Sequence, residues 1–234
     1  MLEALPVNVS TFGGDIDGII RLIYWICGFF LVLAEVFLFF CIFVYRRKDG
    51  VRGKWLPADT TGTNLYVLLP VAVVLACDLY IESKAGPVWE HVKIDIPKGD
   101  MQMRVTGRQF MWLFTYPGPD NQLGTEDDIL VTDEMHVPHD QVIHLQLEAT
   151  DVLHSFFVPA FRLKQDVVPG RSIPAWFNAT TDGTYEIDCS QLCGTSHGVM
   201  RGKIVVESRE KFETWIAAKT AQLTPTGSTP TGVQ

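Results

Sequence analysis

The chain has no basic residue before Arg21 and only five cysteines in 234 residues. The first absence removes the positively charged start of a secretory leader, and Glu3, Asp15 and Asp17 make the opening acidic instead. The second excludes a disulfide framework, because Cys27, Cys41 and Cys77 fall inside apolar runs where a thiol serves as a small hydrophobe. No Cys-x-x-Cys-His run occurs, so this sequence offers no covalent haem attachment. Positive charge is scarce too. Nineteen Lys and Arg against 27 Asp and Glu leave a net charge of −8, which excludes the clustered basic surface that nucleic acid requires.

What the chain has in quantity is apolar sequence, 47% of all residues, concentrated in the first third. From Leu22 to Tyr45 only Glu35 interrupts it. About 20 such residues cross a bilayer, so 22–45 is expected to be a transmembrane helix. Glu35 is costly there and is expected to face a partner subunit through a hydrogen bond, or to be protonated. The following loop carries Arg46, Arg47, Lys48, Arg52 and Lys54 and ends at Trp55. Its positive charge places 46–54 on the cytoplasmic side. A second, shorter run over 65–81, interrupted by Pro70, returns across the membrane, its ends extended by flanking residues. Residues 1–87 therefore read as a two-span anchor in membrane lipid, with both termini external.

Beyond Gly86-Pro87 the pattern changes to apolar–polar alternation of period two, as in 101–106, 141–148 and 203–207. Short strands separated by Gly- and Pro-bearing turns predict an antiparallel sandwich or barrel over 88–220. Arg209 to Leu223 reads as a closing helix with Phe212, Trp215 and Ile216 on its apolar stripe, and 221–234 as a disordered tail. From Val88 onward there are 19 acidic and 12 basic residues, a balance of −7. Their sharpest cluster, Asp120, Glu126, Asp127, Asp128, Asp133 and Glu134, reads as a solvated loop or as a docking or cation-binding element. The EF-hand pattern fails because Gly124 is misplaced.

The chemistry is concentrated between Cys189 and Met200, where two thiols, the imidazole of His197 and a thioether share one loop. Such a set suits a soft ion. Thiolates bind it strongly, imidazole well, and Met as a weak axial ligand. A disulfide and a structural zinc are the competing readings of the cysteine spacing, and Met200 favours copper because neither alternative uses a thioether. One copper of the blue type needs a single Cys. Two bridging sulfurs suit a metal pair, which then requires a second imidazole, and His154 offers one.

These residues resemble the subunit 2 family of haem-copper cytochrome c oxidases, a resemblance that covers nearly the whole chain. It implies two N-terminal transmembrane α-helices in a hairpin, followed by an external all-β cupredoxin-like Greek-key barrel. It further implies a dinuclear copper A centre of two copper ions. Its side-chain ligands are His154, Cys189, Cys193, His197 and Met200, and the backbone carbonyl of Gln191 completes the set. Asp151 falls where the family packs or orients the site. The segment from Gly107 to Tyr116 resembles the aromatic entry from cytochrome c, with Phe110 in place of a more usual Trp and Trp112 as either surface contact or core aromatic. Gln191 stands where a Glu commonly helps to hold an interface magnesium, and an amide oxygen binds a hard cation less strongly than a carboxylate does. Near the second helix, Thr61, Thr63 and Asn64 occupy the neighbourhood of a family Glu that opens a proton path.

The expected function is electron input. One electron at a time arrives from cytochrome c, or from a cytochrome c subunit, and passes to the catalytic haem-copper subunit 1 that reduces dioxygen to water with proton translocation. The expected location is a bacterial plasma membrane, with the copper domain on the periplasmic side among the other oxidase subunits. The copper domain of nitrous oxide reductase fits poorly because of the two spans. A copper carrier needs open coordination, and quinol-oxidase subunits lack the copper ligands.

Overall fold

The computed structural model describes residues 5–53, 55 and 60–223. Glu3, Lys54 and the tail from 224 onward, all named above, lie outside the described residues. The chain forms two compact units: Asp15–His91, and the remainder, in which the residues up to Gly14 join those from Val92 onward.

The first unit consists of two long helices. Helix α1 runs over Gly13–Val44 and α2 over Thr61–Trp89, with one π-turn at Glu90–Ile94. At about 1.5 Å per residue both exceed a bilayer core of about 30 Å. Both are also apolar enough to cross it. They are longer than the expected spans 22–45 and 65–81, for local reasons. Asp15 in the first turn of α1 complements the helix dipole. At the start of α2, Thr60 and Thr63 form a reciprocal capping box, each side chain accepting the other's backbone N–H at 3.3 Å. Pro70 and Pro87 both lie inside α2, and at Pro87 the carbonyls of Gly86 and Pro87 accept the N–H of Glu90. Glu35 is exposed among apolar neighbours on α1.

The second unit is a β-sandwich. Its strands are β1 (Met101–Arg108), β2 (Met111–Tyr116), β3 (Ile129–Thr132), β4 (Glu134–Pro138), β5 (Val142–Ala149), β6 (His154–Val158), β7 (Leu163–Val167), β8 (Ile173–Asn178), β9 (Gly183–Cys189) and β10 (Arg201–Glu207). One sheet has the order β3-β2-β1-β5-β8, the other β4-β10-β9-β6-β7. Alternate residues of each strand point inward, so Met103, Val105, Ile143, Leu145 and Leu147 of one sheet, and Phe156, Val158, Ile204 and Val206 of the other, are buried. The expectation of a purely antiparallel arrangement is corrected here. β1 pairs with β5, and β10 with β4, in parallel. Period-two alternation records which face a residue takes, not the direction of the neighbouring strand. Helix α3 (Arg209–Leu223) closes the sandwich, and its last turn takes in 221–223, assigned above to the tail. Trp215 of α3 stacks on His136 at 4.2 Å and meets Tyr116 edge-on at 5.3 Å.

Residues 6–12, unremarked in the sequence, belong to this sandwich. The Val9 N–H donates to Ala160 O at 3.0 Å, Thr180 N–H to Val9 O at 2.9 Å and Thr11 N–H to Asn178 O at 3.2 Å. The Ser10 hydroxyl donates to Phe161 O at 2.8 Å. Val9 and Phe12 are buried, and Phe12 packs edge-on to Trp176 at 5.1 Å.

Candidate metal centre

Three elements of the sandwich meet at one end. β6 begins with His154, β9 ends with Cys189, and the loop between β9 and β10 carries the remaining donors through a 3-10 turn at His197–Val199. His154 is 0% exposed, Met200 1%, Cys193 5% and Cys189 8%. The two sulfurs are 3.8 Å apart and unbonded. Around them, Cys189 Sγ is 3.9 Å from His154 Nδ1 and 3.3 Å from the Gln191 carbonyl oxygen. Cys193 Sγ is 3.6 Å from His197 Nδ1 and 3.8 Å from Met200 Sδ. All six sequence-predicted ligands are therefore brought together, each donor within 4 Å of a cysteine sulfur.

The donor chemistry can be tested for fit. Asp151 Oδ1 lies 2.8 Å from His154 Nε2. Burial opposes the charge on Asp151, but the N–H groups of Gln109 and Val152 and the His154 ring outweigh it and hold the carboxyl below its ordinary range. An ionised carboxylate only accepts, so Nε2 is the ring nitrogen placed to donate to it, and Nδ1 faces the Cys189 sulfur. Burial pushes the Cys193 thiol up to about 11, and Cys189 adds to the shift. Two buried thiols, an oriented imidazole and a thioether fit a soft cation that takes the place of the thiol protons. His154, Cys189 and Cys193 alone already form a group whose ligand atoms lie within 4.8 Å of one another.

The hairpin of β1 and β2 forms one wall. A Cβ at Gly107 would lie 3.0 Å from the His154 ring, so a side chain there would press on the imidazole that the glycine leaves undisturbed. Trp112 is fully buried, 6.1 Å from the His154 ring centroid and 5.3 Å from that of Phe156. Phe110, half-buried, lies at the hairpin tip beside Gly194, whose φ is +142°. A Cβ there would stand 3.1 Å from the Phe110 ring and 2.9 Å from Gln109 Nε2. Sequence reasoning missed Gln109, and its only trace was its place beside Phe110.

The acidic cluster is mostly occupied within its own loops. Asp127 accepts from Asp120 N–H and the Thr125 hydroxyl, and Asp128 from Gly124 N–H. Asp133 accepts from Trp112 N–H at 2.8 Å, and Glu134 lies 3.1 Å from His136 Nε2. The Thr125 hydroxyl, then the Asp120 N–H, hold the Asp127 carboxyl below its ordinary range against weak desolvation.

Fold and site together describe a β-sandwich preceded by two helices long and apolar enough to cross a membrane, with a cluster of soft-metal donors at one end of the sandwich. Residues 120–209 match the family model described as cytochrome C oxidase subunit II, periplasmic domain. Cytochrome c oxidase subunit 2 of Cereibacter sphaeroides is 30% identical over 232 residues, covering 83% of this chain and 75% of that protein. The alternative cytochrome c oxidase subunit 2 of Bradyrhizobium diazoefficiens is 29% identical over 237 residues, covering 89% and 81% respectively. Among solved structures, the periplasmic domain of subunit II of cytochrome oxidase of Bradyrhizobium japonicum matches with a TM-score of 0.49 and 30% identity, over 55% of this chain and 99% of that one. The chain belongs to the cytochrome c oxidase subunit 2 family.

Proposed function

We propose that this chain is the electron-input subunit of its oxidase. In this reading it receives single electrons from a cytochrome c and delivers them to a haem-copper catalytic subunit that reduces dioxygen to water, coupled to proton translocation. The observation that carries the reading is the convergence of His154, Cys189, Cys193, His197, Met200 and the Gln191 carbonyl on one buried point. These residues would hold two copper ions, for which two thiolates, two imidazoles, a thioether and a carbonyl are a suitable donor set. When bound, the copper pair supplies a one-electron relay whose charge is spread over two metals. The chain's own part is to keep that relay rigid and dry. The sandwich buries the sulfurs and His154, Asp151 fixes the imidazole, and the His197 side of the loop stays half-open. Phe110 at the hairpin tip is the donor-facing aromatic, and Trp112 is the packing behind it.

The two long helices would anchor the copper domain on the periplasmic side, with loop 46–54 in the cytoplasm and both termini external. Gln191 contributes its carbonyl to copper, and its amide would give any interface magnesium a weaker ligand than a carboxylate. Thr63 serves the cap of α2, so proton entry would use a route without a Glu at that place.

Full-length chain in detergent, loaded with copper, tests the reading by metal content and electron paramagnetic resonance. Two coppers per chain and a mixed-valence signal are expected, lost in Cys193→Ser and largely kept in Gln191→Ala. One copper with an isolated-ion signal, or a preference for zinc at equal supply, would overturn it.

A further inference from the structure

The copper ligands come from two separate stretches of chain, His154 at the start of β6 and the rest from the loop after β9. Nothing in the covalent structure fixes one stretch against the other. The β6–β9 ladder sets Phe156 opposite Cys189, and the Ser190 N–H donates to Ser155 O at 3.0 Å, so the backbone holds the Cys189 end of the loop against β6. At Cys193, further along the loop, a hydrogen-bonded side chain supplies a second tie. The N–H of Gln109 donates to Asp151 Oδ2 at 2.7 Å, while Asp151 Oδ1 holds the His154 ring at 2.8 Å. The side-chain amide of Gln109 donates to the Cys193 carbonyl, also at 2.7 Å. A continuous line therefore runs from the His154 imidazole through the Asp151 carboxylate and Gln109 to the peptide of Cys193.

Gln109 is an exposed residue, and a polar side chain on a surface ordinarily keeps its amide in water. Here that amide is committed to one carbonyl. Gly194 shows how closely it fits, since a Cβ at that position would stand only 2.9 Å from Gln109 Nε2. The bare glycine lets the Gln109 amide lie against the peptide that follows Cys193, in a φ region that side chains avoid.

We infer that Gln109 is a positioning residue of the metal centre, tying the His154 side of the site to the Cys193 side. The inference rests on the copper reading above. It concerns how the ligands are held before metal arrives, not which residues they are. Partners that orient metal ligands are worth about 10- to 100-fold in metal affinity.

The test compares three full-length chains in detergent: wild type, Gln109→Met, and Gln102→Met, which makes the same change at an exposed position of β1, the strand that leads into the Gln109 turn. Each is loaded with copper, titrated with a competing chelator, and examined by electron paramagnetic resonance and visible absorption. Its apo form is melted as well. Gln109→Met is expected to lose copper to chelator about 10- to 100-fold more readily, with altered hyperfine splitting and band positions, at an unchanged apo melting temperature. Gln102→Met is expected to match wild type throughout. A Gln109→Met chain indistinguishable from wild type in affinity and spectrum overturns the assignment. So does copper loss that only follows a lowered apo melting temperature, which would make Gln109 a merely structural residue. Failure of wild type itself to take up a copper pair overturns the underlying reading, and is seen before any variant is compared.

Discussion

Asp151 was legible in the sequence through the family resemblance, as a residue that packs or orients the site, and in the structure it is engaged through both carboxylate oxygens. Oδ1 faces the His154 ring and the Val152 N–H, and Oδ2 takes the Gln109 N–H. Asp151→Asn keeps the size but can offer an N–H where the ring needs an acceptor. Copper affinity is expected to fall about tenfold or more, measured by chelator competition. The side chains that meet at the site were legible because four of them, Cys189, Cys193, His197 and Met200, share twelve positions, and soft-metal chemistry asked for a second imidazole. Gln109 was not legible, since a glutamine in a hairpin looks the same whether it faces water or a carbonyl 84 residues away. A second residue-scale expectation concerns His139, whose ring is bonded to Asp182 and whose pKa is raised above 6.5, chiefly by that bond. The folded state therefore binds the proton more tightly than the unfolded one. The stabilisation is full below about pH 6.5 and lost as pH rises through the raised value. The melting temperature of Asp182→Asn should trail wild type at pH 5.5 and converge with it by pH 9.

At the scale of elements, alternation identified β1, β5 and β10 within a residue or two, and the stripe of Phe212, Trp215 and Ile216 identified α3. Two features escaped it. The parallel pairs escaped because strand direction leaves no mark on a period of two. The length of α2 escaped because Pro70, Glu82 and Pro87 look like boundaries, although in the structure the helix passes through all three. Helix α3 is held by aromatic stacking on a histidine set between two carboxylates, with His136 Nδ1 2.9 Å from Glu207 and Nε2 3.1 Å from Glu134. Removing that contact with Trp215→Ala is expected to cost about 2 kcal/mol. Denaturant unfolding followed by far-ultraviolet circular dichroism would measure it. An unchanged midpoint would mean that α3 lies on the sandwich without stabilising it.

For the whole molecule, the charge is uneven in the way the sequence indicated, with −7 of the net −8 beyond residue 87. Much of the sharpest acidic cluster is engaged inside its own loops, so the negative field is a property of the whole sandwich rather than of one patch. A basic cytochrome c is expected to associate with the full chain more weakly as salt rises from about 10 mM to 0.15 M, where the screening length shortens from about 30 to about 8 Å. Binding by surface plasmon resonance that stays flat over that range would point instead to an apolar docking surface.

The segment of residues 6–12 has a consequence for how the molecule is made. These residues are synthesised before either helix, yet the groups they bond, between Ala160 and Thr180, follow roughly 150 positions later. The earliest-made part of the sandwich thus waits for partners made much later, and its seam closes only when the chain has returned to its own beginning. A fragment starting at residue 88 would be a sandwich with an open seam. Such a fragment should melt below the same unit in the full chain, and a peptide of residues 5–14 added in trans should recover part of the difference.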